Sequence, residues 1–341
     1  MTPLWIIGCP GDLGGADTEL WDTMRLWRAH GVPLRLTPTW GITDQWRNRC
    51  LDLGVDVREI EGPKALATLT ELRGATVVSF CNGEFLKHAA AFRDMHCRVI
   101  WVGCMCWAFD AELEHYKTHG AFDRYVFQSE HQRRCLMPVL AKHGVGEDRV
   151  RVIHGPMDAT LFPYGPRPHA AGTEFVIGRL SRPDVAKFSS NLWPIYRRVP
   201  YAKLKARVMG WSDAVHKKLG DAPTWAETLV PRKESAQAFL SSLHAMVPVN
   251  GGAQENWPRV GLEAMAAGVP IVAQNQWGWR EMIRHGETGF LCDTDEEFAY
   301  HVARLAYDEP LRLRMAEAAR DALATLVNPD AIVQAWMELA A

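Results

Sequence analysis

Glu255 and Glu263 stand in the stretch GGAQENWPRVGLEAMAAGVP, residues 251–270, with seven residues between them. Glu263 lies between Leu262 and Ala264 in a run that is otherwise apolar or small. A carboxylate in such a place is costly unless it is hydrogen bonded or paired. If both glutamates were helical they would be a little over two turns apart, and both could face one ligand. If Glu255 instead lies in the loop ahead of the helix, the two reach different parts of that ligand. The bland reading is a capping glutamate and a surface glutamate.

Two further clusters carry possible chemistry. Arg179, Arg182 and Lys187 in IGRLSRPDVAKF directly follow an apolar strand, which puts them at its carboxyl end. Cations there could neutralise a diphosphate and the charge that grows on a leaving phosphate. Gly11, Gly14 and Gly15 in CPGDLGGADTEL permit close backbone approach to an anion where a helix begins, and Asp17 or Thr18 could cap that helix. The spacing matches neither Gly-x-Gly-x-x-Gly nor a phosphate loop, so an ordinary glycine turn stays open.

The elements that must position these residues alternate. Short apolar strands (LWIIGCP, VPLRLTP, ATVVSFC, CRVIWVGC, RYVFQS, RVRVIHGP) are interleaved with helical patterns up to about residue 164, one of them a helix over 63–74. Fully apolar strands between helices describe a mostly parallel sheet covered on both faces. GPRPHAAGT, residues 165–173, has no periodicity and reads as a boundary; strands and helices resume at EFVIGRL, and three helices close the chain. The expectation is an α/β protein of two doubly wound domains in series, 1–165 and 172–325, with ligands beyond the carboxyl ends of the strands in the cleft between them.

Composition narrows the classes. A length of 341 residues favours two domains, and 38 basic against 40 acidic residues, a net charge of -2, gives no general attraction to polyanions. Eight cysteines without a Cys-x-x-Cys pair read as reduced core thiols of a cytosolic protein. The N-terminus reads as a first strand rather than a signal peptide. The uncharged stretch 235–254 carries Gln237, His244 and Asn250, which make an intramembrane placement expensive.

From 251 to 291 the chain resembles the retaining glycosyltransferases of the two-Rossmann-domain (GT-B) fold, in the large family four group. The likeness is carried by the Glu-x7-Glu pair, by GWREMIRHGETGFL and by GRL at 178–180; GGADTEL, YVFQSEHQRR and VIHGPMDATLF extend it loosely into the first half. The resemblance implies two Rossmann-like domains facing across a cleft, with the helix of 328–341 returning to the first. It implies metal-independent transfer of a sugar from a nucleoside-diphosphate sugar, UDP- or GDP-linked, to an acceptor hydroxyl with retention at the anomeric carbon. Glu263 would hold the ribose hydroxyls and Glu255 would lie by the donor sugar, with Asn256 and Trp257 beside it. Gly14 and Gly15 would approach the donor phosphates. Arg179 and a lysine would meet the diphosphate; Lys187 comes later than the family's lysine, and Arg182 is the alternative ligand. Glu281 matches the glutamate of a glycine-rich turn in which Trp277 replaces a glycine and Arg280 a proline.

Other classes compatible with the same residues are a non-catalytic nucleotide-sugar-binding protein and an epimerase- or phosphorylase-like relative. The acceptor is open among glycan, lipid-linked glycan, metabolite, protein and modified nucleobase in DNA, and a cytosolic enzyme could still touch a membrane through an amphipathic patch. No cofactor and no metal are expected. His115 and His119 share a helix face without a third ligand, Cys104 and Cys106 have the wrong spacing for a zinc knuckle, and Asp293-Thr294-Asp295 reads as a helix cap.

Overall fold

The computed structural model describes residues 2–11, 14–39 and 41–341. It divides into two compact units, Met1–Met157 with Val327–Ala341, and Asp158–Leu326. The crossover at 157/158 leaves the segment 165–173 in the second unit, where Gly165 donates its N–H to the Ala267 carbonyl at 3.2 Å and the Arg167 guanidinium bonds the Ser242 carbonyl.

The first unit runs β1 (Leu4–Ile7), α1 (Gly15–Ala29), β2 (Leu34–Thr37), α2 (Asp44–Asp52), β3 (Asp56–Val57), β4 (Thr76–Phe80), α3 (Gly83–Asp94), β5 (Arg98–Val102), α4 (Asp110–His119), β6 (Arg124–Phe127), α5 (Glu130–Leu140) and β7 (Val150–Val152). The strands pair in parallel in the order β3-β2-β1-β4-β5-β6-β7. The central strands are buried almost throughout, Val77, Val78, Val99 and Ile100 among them, as helix cover on both faces requires. Strand order reverses between β1 and β4, the point at which an open sheet leaves a crevice. A cavity of about 280 Å³ opens there, lined by Gly8, Cys9, Asp17, Cys81 and Asn82 among others.

The helix expected over 63–74 is two 3-10 turns instead, Pro63–Thr68 and Thr70–Leu72. Leu69 breaks them at φ -80, ψ 73, and the Thr68 hydroxyl donates to the Ala65 carbonyl at 2.6 Å. A threonine that bonds local backbone competes with the helical ladder.

The second unit comprises β8 (Phe175–Leu180), α6 (Leu192–Arg198), β9 (Leu204–Met209), α7 (Asp213–Leu219), β10 (Ala226–Leu229), α8 (Ala236–Ser241), β11 (Ala245–Met246), α9 (Arg259–Ala267), β12 (Val272–Gln274), α10 (Trp279–Met282), β13 (Phe290–Cys292), α11 (Asp295–Tyr307) and α12 (Glu309–Leu326). Its sheet orders β10-β9-β8-β11, and a parallel bridge from Met246 to Ile271 leads on to the pair β12-β13. The sequence pattern misses α7 and β10: the helix has seven residues, and the edge strand Ala-Glu-Thr-Leu is buried only at Leu229.

The last helix, α13 (Pro329–Ala340), packs in the first unit. Trp336 meets Trp27 edge-on at 4.9 Å and stacks on Phe80 at 6.1 Å, while Arg98 donates to the carbonyls of Leu339 and Ala340. Among the described residues no helix is long and apolar enough to cross a membrane.

Candidate functional site

In the second unit, the loop 249–256 that follows β11 is held from two sides. The strap 185–189 lies against it: Ala253 N–H donates to the Ala186 carbonyl at 3.1 Å, and Ser189 N–H to the Val249 carbonyl at 3.3 Å. Gly251 is there of necessity, because a Cβ would stand 2.3 Å from the Phe188 carbonyl oxygen. On the far side, Gly278 N–H donates to the Glu255 carbonyl at 2.8 Å, and a Cβ on Gly278 would stand 1.8 Å from the Asn256 carbonyl oxygen. Backbone cannot yield as a flexible side chain can, so both positions require glycine.

This packing delivers a charged pair. Lys187, at the end of the 3-10 turn Val185–Lys187 that Asp184 caps through the Ala186 N–H, donates to both oxygens of Glu255, at 2.9 and 3.1 Å. Both side chains are 19% exposed. The turn takes up the extra residues that separate Lys187 from Arg179. Arg182 lies exposed on the same loop.

Arg179, on β8, is only 2% exposed. Its Nη1 donates to the Val249 carbonyl at 2.6 Å, its Nη2 to Ser181 Oγ at 3.3 Å, and its guanidinium lies 4.0 Å from the centre of the Phe188 ring. Nε has no hydrogen-bond partner among the described residues. Burial lowers its pKa to about 10, against the opposing pull of Tyr196 and the Glu255 carboxylate, so it stays cationic at neutral pH.

The pair is organised by two residues that the sequence reading did not place in the site. Asn250, 5% exposed, donates through Nδ2 to the Ala253 carbonyl at 2.8 Å and more weakly to Glu255 Oε1 at 3.4 Å, while its Oδ1 accepts the Gly252 N–H at 2.8 Å. Gln274, at the end of β12, accepts the Asn250 N–H and donates to the Asn250 carbonyl, both at 3.0 Å. The available signal was an asparagine at a strand end before two glycines.

Glu255 precedes α9, which starts at Arg259 after Pro258 as N-cap, so the two glutamates do not share a helix. Glu263 is half-buried on α9 between the fully buried Leu262 and Ala264; Asn256 and Trp257 are buried at its entrance. Glu281 is half-buried in α10. Trp277, where the resemblance expects glycine, has φ 53, a left-handed conformation that a bulky side chain rarely adopts. Arg280 braces that turn by donating from Nε to the Asn275 carbonyl at 2.8 Å.

In the first unit Gly14, at φ 125, is the N-cap of α1 and Gly15 its first residue; Thr18 Oγ1 bonds the Gly14 carbonyl and Asp17 Oδ1 accepts the Gly11 N–H. Asp12 and Leu13 of this turn lie outside the described residues. His115 is 5% exposed and stacks on Phe122 at 4.7 Å, its pKa lowered to about 4 chiefly by burial. Glu112 bonds the Tyr116 hydroxyl and the Phe109 N–H, which uses it as a cap rather than a metal ligand. Thr294 Oγ1 caps α11 through the Glu297 N–H.

With this geometry in place, comparison with known proteins locates the second unit's likeness. Residues 227–322 match the family described as Glycosyl transferases group 1. The chain is 37% identical over 116 residues to the exopolysaccharide phosphotransferase SCO2592 of Streptomyces coelicolor, 33% of this chain and 12% of that one. It is 35% identical over 85 residues to the N-acetyl-alpha-D-glucosaminyl L-malate synthase of Bacillus anthracis, 24% of this chain and 22% of that one. The chain thus spans less than a quarter of either curated relative. The crystal structure of Anabaena Alr3699/HepE in complex with UDP-glucose superposes with a TM-score of 0.77 at 16% identity, covering 99% of both chains. The fold is therefore GT-B, built of two Rossmann-like α/β units.

Proposed function

We propose that this protein is a retaining glycosyltransferase that moves a sugar from a nucleoside-diphosphate sugar to an acceptor hydroxyl without a metal in the transfer step. The observation that carries the reading is the 2.9 Å pair between Lys187 and Glu255 beside the buried Arg179, with Glu255 on a glycine-locked loop inside the stretch that matches the group 1 family. Lys187 exchanges its carboxylate partner for the donor diphosphate, and the exposed Gly251 offers its backbone amide, the Gly252 N–H being held by Asn250. Arg179 supplies a fixed positive field from behind that loop, with Arg182 as the alternative direct contact.

As the bond from the anomeric carbon to the leaving phosphate oxygen breaks, negative charge grows on the phosphate and positive character on the sugar. Preorganised charges aimed at both lower the barrier. Glu255, released from Lys187, faces the sugar; Glu263 takes the ribose hydroxyls; Glu281 orders the turn above them, and Asn256 and Trp257 shape the donor side. Gly14 and Gly15 serve the donor phosphates. The acceptor hydroxyl attacks from the leaving-group face and its proton passes to the departing phosphate, so no separate base is assigned. HepE binds UDP-glucose, which makes UDP-sugars the first donors to try. The eight free thiols favour a reducing cytoplasmic setting.

The test is a panel of UDP- and GDP-sugars with mixed glycan, lipid-linked and small-molecule acceptors, read by mass spectrometry, with the anomeric configuration read by NMR. Glu255→Gln is expected to lower transfer roughly hundred- to thousandfold while the thermal shift induced by the nucleotide persists. Unchanged turnover in that variant would remove Glu255 from the mechanism, and no product with any donor would favour a binding protein.

A further inference from the structure

The loop that leaves β5 and the first turns of α5 bring three soft ligand atoms together in the first unit. Cys106 comes from the loop, His131 and Cys135 from α5, and one ligand atom from each lies within 4.8 Å of the other two. His131 Nε2 and Cys135 Sγ are 3.7 Å apart. Four residues apart on a helix is the spacing that puts two side chains on one face. We propose that Cys106, His131 and Cys135 form a binding site for a single soft divalent cation, with zinc as the ion whose chemistry they match.

The distances argue for it. Zinc takes thiolate at about 2.3 Å and imidazole at about 2.0–2.1 Å in a tetrahedron, which sets ligand-to-ligand edges at roughly 3.5–3.8 Å. The His131–Cys135 edge is already at that length, and the remaining edges need to close by at most on the order of 1 Å to reach it. Two thiolates and a neutral imidazole around a divalent cation carry no net charge, which suits a place where Cys106 is 7% exposed. On binding, each thiol gives its proton to the buffer and its sulfur lone pair to the metal. The fourth corner is left for water or a ligand, as in open zinc sites.

The scaffold is rigid where it needs to be. β5 and β6 are paired neighbours, and Gly103 N–H continues the ladder to the Val126 carbonyl at 3.0 Å. Gln132, wholly buried next to His131, donates from Nε2 to the Met105 carbonyl at 2.9 Å while its Oε1 accepts the Gln128 N–H at 2.7 Å. The residue before Cys106 is therefore tied to the residue after His131. Cys104, two positions earlier, is engaged elsewhere, its N–H on Cys81 Sγ at 2.7 Å. The cluster lies at the carboxyl ends of β5 and β6, the edge at which open α/β sheets take ligands. In this role the metal clamps the 103–106 loop to α5, and it is no part of the charge balance proposed for the second unit.

The test uses the full chain, reduced and stripped with a chelator, titrated with Co2+ and read by the charge-transfer absorption that thiolate ligation gives cobalt. One cobalt per chain, displaced by Zn2+, is expected. Cys135→Ser and His131→Gln, both on the accessible helix face, should each weaken uptake at least tenfold or abolish the bands, whereas Cys81→Ser and Cys104→Ser should leave them intact. Gln132→Ala, which frees the loop without removing a ligand, should weaken uptake by roughly tenfold. Absence of thiolate bands in protein with native circular dichroism would overturn the site, as would bands that survive both Cys135→Ser and His131→Gln or that vanish with Cys81 or Cys104. Because the readout is cobalt uptake rather than sugar transfer, the outcome is independent of the proposed activity.

Discussion

The carboxyl-end loops of the two units solve the same positioning problem with different materials. In the second unit, backbone fixes the loop: the glycines at 251 and 278 sit where any Cβ would strike a carbonyl oxygen, at 2.3 and 1.8 Å. In the first, a side chain fixes it: a Cβ on Gly103 would meet Gln132 Nε2 at 2.9 Å, a buried amide that is itself held by the Met105 carbonyl. The functional atoms differ in the same sense. One edge presents an ammonium, a guanidinium and a carboxylate, hard groups suited to phosphate and to developing charge; the other presents thiols and an imidazole. A shared fold thus leaves the chemistry to the loops.

Alanine at the two glycines is the strongest way to break that comparison. Gly278→Ala drives a methyl into backbone, and the cost should exceed about 3 kcal/mol, the upper range for overpacking, with loss of nucleotide binding because the Glu255 carbonyl loses its anchor. Gly103→Ala displaces a buried side-chain amide from the Met105 carbonyl rather than backbone, and should cost less, about 1–2 kcal/mol. Denaturant unfolding of both variants measures the difference. Equal costs would mean that the second unit's loop has slack that its contacts do not reveal.

The same contrast explains what the sequence made legible. Glu263 was readable because a proline before it and Gly268 after it bound a short apolar helix, and a carboxylate in such a run stands out. The alternation of buried strands and helices was readable for the same reason of period. Asn250 and Gln274 were not, since their mutual bonds span 24 residues and no local spacing records them. Cys106 looked mispaired with Cys104, and only the pairing of β5 with β6 brings it to α5. The 3-10 turns of 63–72 and the half-exposed β10 failed for lack of a strong period.

Buried histidines sharpen the comparison next. His244, in the second unit, accepts the Val176 N–H on Nδ1 at 2.8 Å and meets the Pro168 carbonyl with Nε2 at 3.2 Å, a geometry that only the neutral ring provides. Burial, reinforced by Arg167, Arg312 and His169, lowers its pKa to about 4, from an ordinary 6.5. Between those values the unfolded chain binds a proton that the folded chain refuses, so stability is fully present above pH 6.5 and falls as pH drops toward 4. The loss should approach about 3 kcal/mol. His115 of the first unit has the same direction but no partner on Nε2 among the described residues. Replacing it should therefore cost less at neutral pH than replacing His244. Urea unfolding across pH 4 to 7 with His244→Asn and His115→Asn separates the two; a pH slope unchanged by His244→Asn would reassign the acid sensitivity.

The smallest expected effect probes the charged pair itself. Lys187 and Glu255 are each 19% exposed, so water screens their attraction in part and the coupling should be only about 1 kcal/mol, the upper range for exposed pairs. A double-mutant cycle of Lys187→Met and Glu255→Gln in the resting protein measures it. If the pair is the resting state of a donor clamp, Lys187→Met should cost little stability and much nucleotide affinity, because the diphosphate loses its direct cation. The affinity loss should also shrink at high salt, where phosphate attraction is screened for both proteins. A coupling of several kcal/mol with unaltered nucleotide binding would instead make the pair a structural rivet of the strap 185–189, and the diphosphate contact would pass to Arg182.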